Sequence, residues 1–215
     1  MATIRPYEPR DRDAIRTIAA DTGFFGRPTE TVIHDRDFMA TALTSYYLDF
    51  EPEAVFVAEE DGKVLGYACG CTDCCRHKRL FMRHIAPKLL VQFFMKGLWR
   101  SSAVWDIAVT LLRALKNAPA GRKDIEADYP AHCHINLAPH IRGKGVGRAL
   151  MERLFAFFRE RGVKGVHASV ATEGGKAFFT KMGFRILDKR PTPPFKIPHP
   201  AEGWIMGILA ADFPK

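Results

Sequence analysis

The sequence predicts an α/β protein: a mixed, mostly antiparallel central sheet with helices on both faces and an inserted helical segment at about 76–118, in one domain spanning residues 1–215. Three observations predict it. Short β-branched runs alternate with stretches of helical periodicity along the chain. Asp61-Gly62 joins two of those runs as a hairpin, and a glycine-rich turn at 143–147 separates a strand from an amphipathic helix. A chain of this length buries about 70% of its unfolded surface, so its core needs no disulfide staple.

The elements follow in order. Ile4-Arg-Pro-Tyr7 reads as an edge strand, because Pro6 removes a ladder donor. Asp11 or Asp13 caps a helix whose apolar face is Ala14, Ile15, Ile18 and Ala19. Ala54–Ala58 and Val64–Ala68 are the hairpin strands. Leu80, Ile85, Leu89, Phe93, Leu98, Ile107, Leu111 and Leu115 recur at helical spacing, which predicts two helices broken near Gly97–Ser102. Ala131–Leu137 is a strand, about Val146–Arg161 a helix ended by Gly162, and Val163–Val170 a strand. Gly174–Met182 reads as a short helix, with Phe184–Leu187 and Trp204–Leu209 as the last strands. The prolines from Pro191 to Pro200 stiffen the loop between them.

Composition narrows the function classes. The formal charge is 32 − 24 = +8, which suits an anionic ligand without naming one. Met1–Arg12 is polar and has no apolar export core, and Lys88–Leu115 is too often interrupted by polar residues to span a membrane, so a cytoplasmic protein is expected. The basic inserted segment lacks the aromatic–basic interleaving and the helix-turn-helix pattern of a nucleic-acid module, so neither nucleic acid nor membrane is expected as a partner. Cys69, Cys71, Cys74 and Cys75 crowd together, but a second short ligand pair is missing and only His77 and His84 lie nearby. Cys69 and Cys71 then read as small apolar residues on one strand face, and no metal is expected.

The turn "PHIRGKGVGRAL" holds the strongest signal. A strand that enters a glycine turn and leaves as a helix gathers unpaired N–H groups where the helix dipole is positive, which suits phosphate. Gly143, Gly145 and Gly147 leave those amides accessible, and Arg142, Lys144 and Arg148 add positive charge. Arg148 stands where a dinucleotide fingerprint needs its third glycine, and no Walker loop is present.

The form Arg142-x-x-Gly145-x-Gly147 resembles the acetyl-CoA signature of the GNAT acetyltransferase superfamily. "IRPYEPRDRDAIRTIA", "VFVAEEDGKVLGYA", "KMGFRIL" and "WIMGILA" are similar to its opening strand and helix, its hairpin, its sixth strand and its last strand. "YPAHCHINLAPHIRGKGVGRAL" and "GVKGVHASV" further resemble a bacterial branch related to the acetyltransferase-like domain of O-GlcNAc hydrolases; without a hydrolase domain, no glycosidase activity is expected. The resemblance implies the GNAT fold and acetyl-CoA as co-substrate. The amides of Gly143, Lys144, Gly145, Val146, Gly147 and Arg148, together with Arg142, would hold its pyrophosphate, and Ile135, Asn136 and Leu137 would pair with its pantetheine arm. A splay between this strand and Val166–Val170 would receive the thioester.

The implied reaction is direct attack of a primary amine, on a small molecule or a protein, on that thioester. His132 and His134 share one strand face and are the candidate bases. Serotonin-type members carry two His residues on this strand one position out of step, so without a bulge the present pair faces away from the thioester. Glu126, Asp128 and His167 are alternatives. Phe179 occupies the place where many relatives carry a proton-donating Tyr, which supports a runner-up reading: a weak or inactive acetyl-CoA-binding sensor or scaffold. Residues 22–52, 76–128 and 190–203 would set acceptor specificity, and a homodimer is compatible with the chain.

Overall fold

The structure is a computed structural model that describes residues 2–31, 33–101, 105, 121–191 and 202–214. Its seven strands are β1 (Thr3–Pro6), β2 (Val55–Glu60), β3 (Lys63–Cys71), β4 (Ala131–Leu137), β5 (Gly165–Val170), β6 (Arg185–Pro191) and β7 (Glu202–Leu209). They form one sheet in the order β1-β2-β3-β4-β5-β7-β6. Every neighbouring pair is antiparallel except β4–β5. The expected mixed, mostly antiparallel sheet is therefore present. Asp61 and Gly62 both take positive φ at the β2–β3 hairpin, as the Asp-Gly pair predicts.

Helices cover both faces. Alternation along β2 sends Val55 and Val57 to one face and Phe56 and Ala58 to the other. The first face packs on α1 (Arg12–Thr22), α2 (Arg36–Phe50) and α3 (Cys74–Leu80), through Ile15, Ile18, Tyr46, Tyr47 and Cys74. On the second face lie α6 (Val146–Glu160) and α7 (Glu173–Lys181), with Leu150, Leu154, Phe155, Phe158 and Phe179 inward. Each such side chain, fully buried, contributes about 1.5–3 kcal/mol of transfer free energy.

Several local expectations are corrected. Asp11 takes the N-cap position of α1, but its side chain gives that helix no capping hydrogen bond; it accepts from the Glu8 amide and holds Arg5 through both guanidinium nitrogens at 2.7 and 2.8 Å. Within 22–52 the chain forms α2, which has no aliphatic stripe. Its buried side chains include Thr41, Thr44, Ser45, Tyr46 and Tyr47, so hydrophobic periodicity misses it. The local start signal is Asp35, whose carboxylate accepts from the Phe38 amide at 2.7 Å.

In the inserted segment, α3 continues through a wide π-turn at Phe81–Ile85 into α4 (Ala86–Met95). Pro87 sits in the first turn of α4, where its missing N–H is tolerated. Gly97 then takes φ +63° and ends the helix, as its position predicted. The second helix expected of the inserted segment falls on residues 102–104 and 106–120, outside the described residues. A further helix, α5 (Gly121–Asp128), follows. Leu80, Phe81 and Leu89 cover the first-face core, as a core-covering insertion should, whereas Leu90, Val91, Phe94 and Met95 are exposed. Among the described residues no helix is long and apolar enough to cross a membrane.

The joint between α2 and the sheet is a buried carboxylate. Glu51 is 1% exposed; it accepts from Tyr46 Oη at 2.6 Å and from Thr72 through its amide at 3.2 Å and its hydroxyl at 2.6 Å. Arg76 Nη1 lies 3.2 Å away and supplies the positive charge. Removing the carboxylate strands these donors. Glu51→Ala is expected to cost about 3 kcal/mol in urea unfolding, against less than about 0.5 kcal/mol for Glu53→Ala at the exposed neighbouring position.

Candidate functional site

The site begins where β4 loses a neighbour. β4 and β5 pair only at Ala131–Val166 and His132–His167, and beyond these two rungs they diverge. The splay expected from the sequence is present, with its vertex just past His132. On the other side β4 stays paired with β3 down to Leu137–Gly66 with no register shift. The bulge that would have re-aimed the histidines is absent from this pairing.

Alternation then assigns the faces of β4. The Ala138 amide donates to Leu65 O at 2.9 Å, so the backbone groups of Ile135 and Leu137 point away from β3, toward the gap. The backbone groups of Ile135 and the N–H of Leu137 fit the pairing role expected for a pantetheine arm, the Leu137 carbonyl being taken by Arg142. Asn136 does not: its backbone faces β3, and its side-chain amide donates to Thr22 Oγ1, pinning the end of α1 to β4. Arg142 also departs from expectation. Its Nε and Nη2 turn back onto Leu137 O at 3.1 and 3.0 Å, closing the strand end rather than reaching outward.

The glycine turn leads α6 away on the second face. Gly143 and Gly145 take φ +78° and +81°, and a Cβ added at either would meet nothing within 4 Å. Gly145 is the N-cap of α6 and brings no capping side chain. The amides of Val146, Gly147 and Arg148 thus open the helix without intrahelical acceptors. Gly147 has a different reason to be glycine. It is buried, and a Cβ there would come within 3.2 Å of both Leu137 Cδ1 and Phe178 Cε2, so its lack of a side chain lets the start of α6 lie against β4. Arg148 pairs with Glu152 one turn along at 2.7 Å, while Lys144 is exposed beside the turn.

On the first face stand His132 and His134, ring centroids 5.2 Å apart. They have different surroundings. His134 is exposed at the vertex of the splay, although protein surrounds it on its other sides; that desolvation, with His77 and His167 adding to it, pushes its imidazolium down to about 4. His132 is walled in: Nε2 meets Tyr47 Oη, and Nδ1 lies 3.0 Å from Cys71 Sγ and 3.3 Å from Cys74 Sγ. Burial holds it neutral, well below the usual histidine range, with His134 and His77 acting in the same sense.

Tyr47 is the residue that sequence reasoning missed. It lies on the unpredicted α2 and packs edge-on against both imidazoles, centroids 5.8 and 5.7 Å away. The alternative bases are engaged elsewhere: Glu126 with Lys78, Asp128 with Lys164, and His167 Nδ1 with Tyr129 O. Phe179 is buried in the second-face core, edge-on to Phe184, and its identity is a matter of packing. Cys69 is buried on the first face, as expected of a small apolar strand residue, whereas Cys71, also buried, brings its Sγ to His132 Nδ1.

Comparison with known proteins agrees with this geometry. The family model for the acetyltransferase (GNAT) domain matches residues 110–186, the stretch that carries β4, the glycine turn, α6, β5 and α7. The crystal structure of SsHAT is similar over 97% of this chain and 98% of its own, with 30% identity and a TM-score of 0.76. YncA of Salmonella typhimurium, solved with its cofactor acetyl-CoA, shares the fold over 98% of this chain and 94% of its own, at 20% identity and a TM-score of 0.56. The polyamine N-acetyltransferase of Drosophila melanogaster, which forms N-acetylagmatine, does so over 97% and 100%, at 15% identity and a TM-score of 0.61.

The packing at Gly147 is directly testable. Gly147→Val is expected to push α6 off β4 and cost about 1–3 kcal/mol of stability by overpacking, read as a lower midpoint in denaturant unfolding. An unchanged midpoint would show that the helix start is free to move.

Proposed function

Because the chain belongs to the GNAT acetyltransferase family, we propose that it transfers an acetyl group from acetyl-CoA to a primary amine by direct attack on the thioester. The observation that carries this reading is the position of the gap in the sheet. It opens between the cradle of main-chain amides at the start of α6 on one face and the exposed imidazole of His134 on the other.

Two substrates reach one point from opposite faces. The pyrophosphate of acetyl-CoA rests on the amides from Gly143 to Arg148, at the positive end of α6. Ile135 and Leu137 pair with the amide-bearing arm as an added strand would, leading the thioester to the vertex. The amine enters from the face of α1 and α2. Holding both reactants in line supplies a large part of the roughly 7–11 kcal/mol available from positioning. The amine nitrogen bonds to the carbonyl carbon, the C–S bond breaks, and the electron pair leaves on the CoA sulfur. With no bulge to turn it toward the thioester, neutral His134 stays on the face by which the amine enters and accepts there the proton that the nitrogen sheds. Water protonates the thiolate, since Phe179 supplies no proton and lies in the core.

The strings around β4 and β5 support a place for this chain in the branch related to the acetyltransferase-like domain of O-GlcNAc hydrolases. The acceptor would be selected by the wall of α2, by α3 and α4 of the inserted segment and by the stretch 190–203.

The test is thiol release with acetyl-CoA across a panel of amines. His134→Ala is expected to lower kcat by about 10²-fold or more with little change in acetyl-CoA affinity. Equal turnover would remove His134 from the reaction. Gly145→Glu puts a carboxylate at a positive-φ position inside the cradle and is expected to abolish calorimetric binding of acetyl-CoA while the far-UV spectrum is kept. Retained affinity would overturn the cradle assignment. Tight binding without turnover of any amine would favour the sensor reading instead.

A further inference from the structure

The geometry points to a tetrahedral zinc site formed by Cys71, Cys74 and His132, buried on the first face of the sheet, with one coordination position left over. Cys71 ends β3, Cys74 opens α3, and β4 carries His132 to them from about sixty residues away. Their three donor atoms lie within 4.8 Å of one another. The edges of the triangle are 3.9 Å for Cys71 Sγ–Cys74 Sγ, 3.0 Å for Cys71 Sγ–His132 Nδ1 and 3.3 Å for Cys74 Sγ–His132 Nδ1.

An ion with Zn–S of about 2.3 Å and Zn–N of about 2.0 Å at tetrahedral angles requires edges of about 3.8 Å between sulfurs and about 3.5 Å from sulfur to nitrogen. The side chains need move by only about half an ångström to hold it. His77 lies one turn after Cys74 on the same face of α3, and its ring centroid is 4.8 Å from that of His132. Cys71-x-x-Cys74 offers two ligands from one knuckle and β4 the third, with His77 packed against the His132 ring beside them. The missing second ligand pair, which argued against a metal in the sequence, is replaced by a strand that the fold brings alongside.

The surroundings are those of a ligating shell. Tyr47 Oη engages His132 Nε2, leaving Nδ1 to face the thiols, the arrangement in which a partner on the far nitrogen orients a metal-bound imidazole. The knuckle is fixed on both sides. Glu51 accepts from the amide and hydroxyl of Thr72, between the cysteines, and the Cys74 amide donates to Pro130 O at 2.8 Å. Asp73 caps α3 by accepting from the Cys75 and Arg76 amides at 2.7 and 3.0 Å. Binding releases the two thiol protons to solvent and uses the Nδ1 lone pair of neutral His132. An ion there ties α3, and so the start of the inserted segment, to β4 beside the acetyl-transfer site; it also keeps His132 out of proton transfer.

The experiment is cobalt titration of the full chain, stripped of metal and kept reduced with a phosphine, followed by displacement with zinc. One equivalent of Co²⁺ is expected to give a thiolate-to-cobalt charge-transfer band with intense red d–d bands, and Zn²⁺ should abolish both. Cys74→Ser and His132→Gln should lose the charge-transfer intensity or the tetrahedral d–d pattern, while Cys75→Ser, at the exposed neighbouring cysteine, should keep both. Because either core variant can misfold, the wild-type spectrum decides independently: no tetrahedral cobalt signal at one equivalent overturns the site. A spectrum unchanged in well-folded Cys74→Ser overturns it as well.

Discussion

A strand that keeps one neighbour and loses the other is the constraint on which this molecule depends. β4 is held by β3 along its whole length, yet shares only two rungs with β5. Backbone groups left over by that divergence cannot be buried without partners, so the gap must face solvent or receive a ligand that carries amides of its own. The two faces of β4 then acquire separate duties. Ile135 and Leu137 meet the helix that starts with glycines, and His132 and His134 meet α2 and α3.

Two histidines two residues apart show how far local packing can separate like side chains. One period along the strand moves an imidazole from the open vertex into a pocket of thiols and a phenol. Both are held neutral by surrounding protein and by neighbouring imidazoles, although His134 alone keeps an exposed side. Only His134 has room for an incoming nitrogen. α2 makes this difference, because Tyr47 reaches both rings and Glu51 anchors the helix end to the loop between Cys71 and Cys74.

The sheet was legible in the sequence because its strands alternate clearly and its turns use residues with a stated conformational purpose, Asp61-Gly62 at the hairpin and Gly143 and Gly145 at the cradle. α2 was not legible, since a helix buried among polar and aromatic neighbours shows no apolar stripe. Gly147 has a second purpose that the sequence did not show, and Asn136 serves a different partner. The sequence places them beside the ligand-binding turn, whereas in the fold one makes room for helix packing and the other bonds to α1. Grouping His132 with Cys71 and Cys74 was out of reach for pattern reading, because it depends on the β3–β4 register, which pairs Cys71 directly with His132.

The wide turn at Phe81–Ile85 sets the heading of everything that leaves it. A π-turn is a regular helix with one residue too many, and each residue turns a helix by about 100°. Excising a single residue there would return the turn to α geometry and leave Leu90, Val91, Phe94 and Met95 near their present bearing, whereas the same deletion in a regular turn would swing them by about 100°. An evolving lineage could thus gain or lose one residue at this turn without re-aiming the apolar faces of α4 and with the knuckle at Cys71–Cys74 undisturbed.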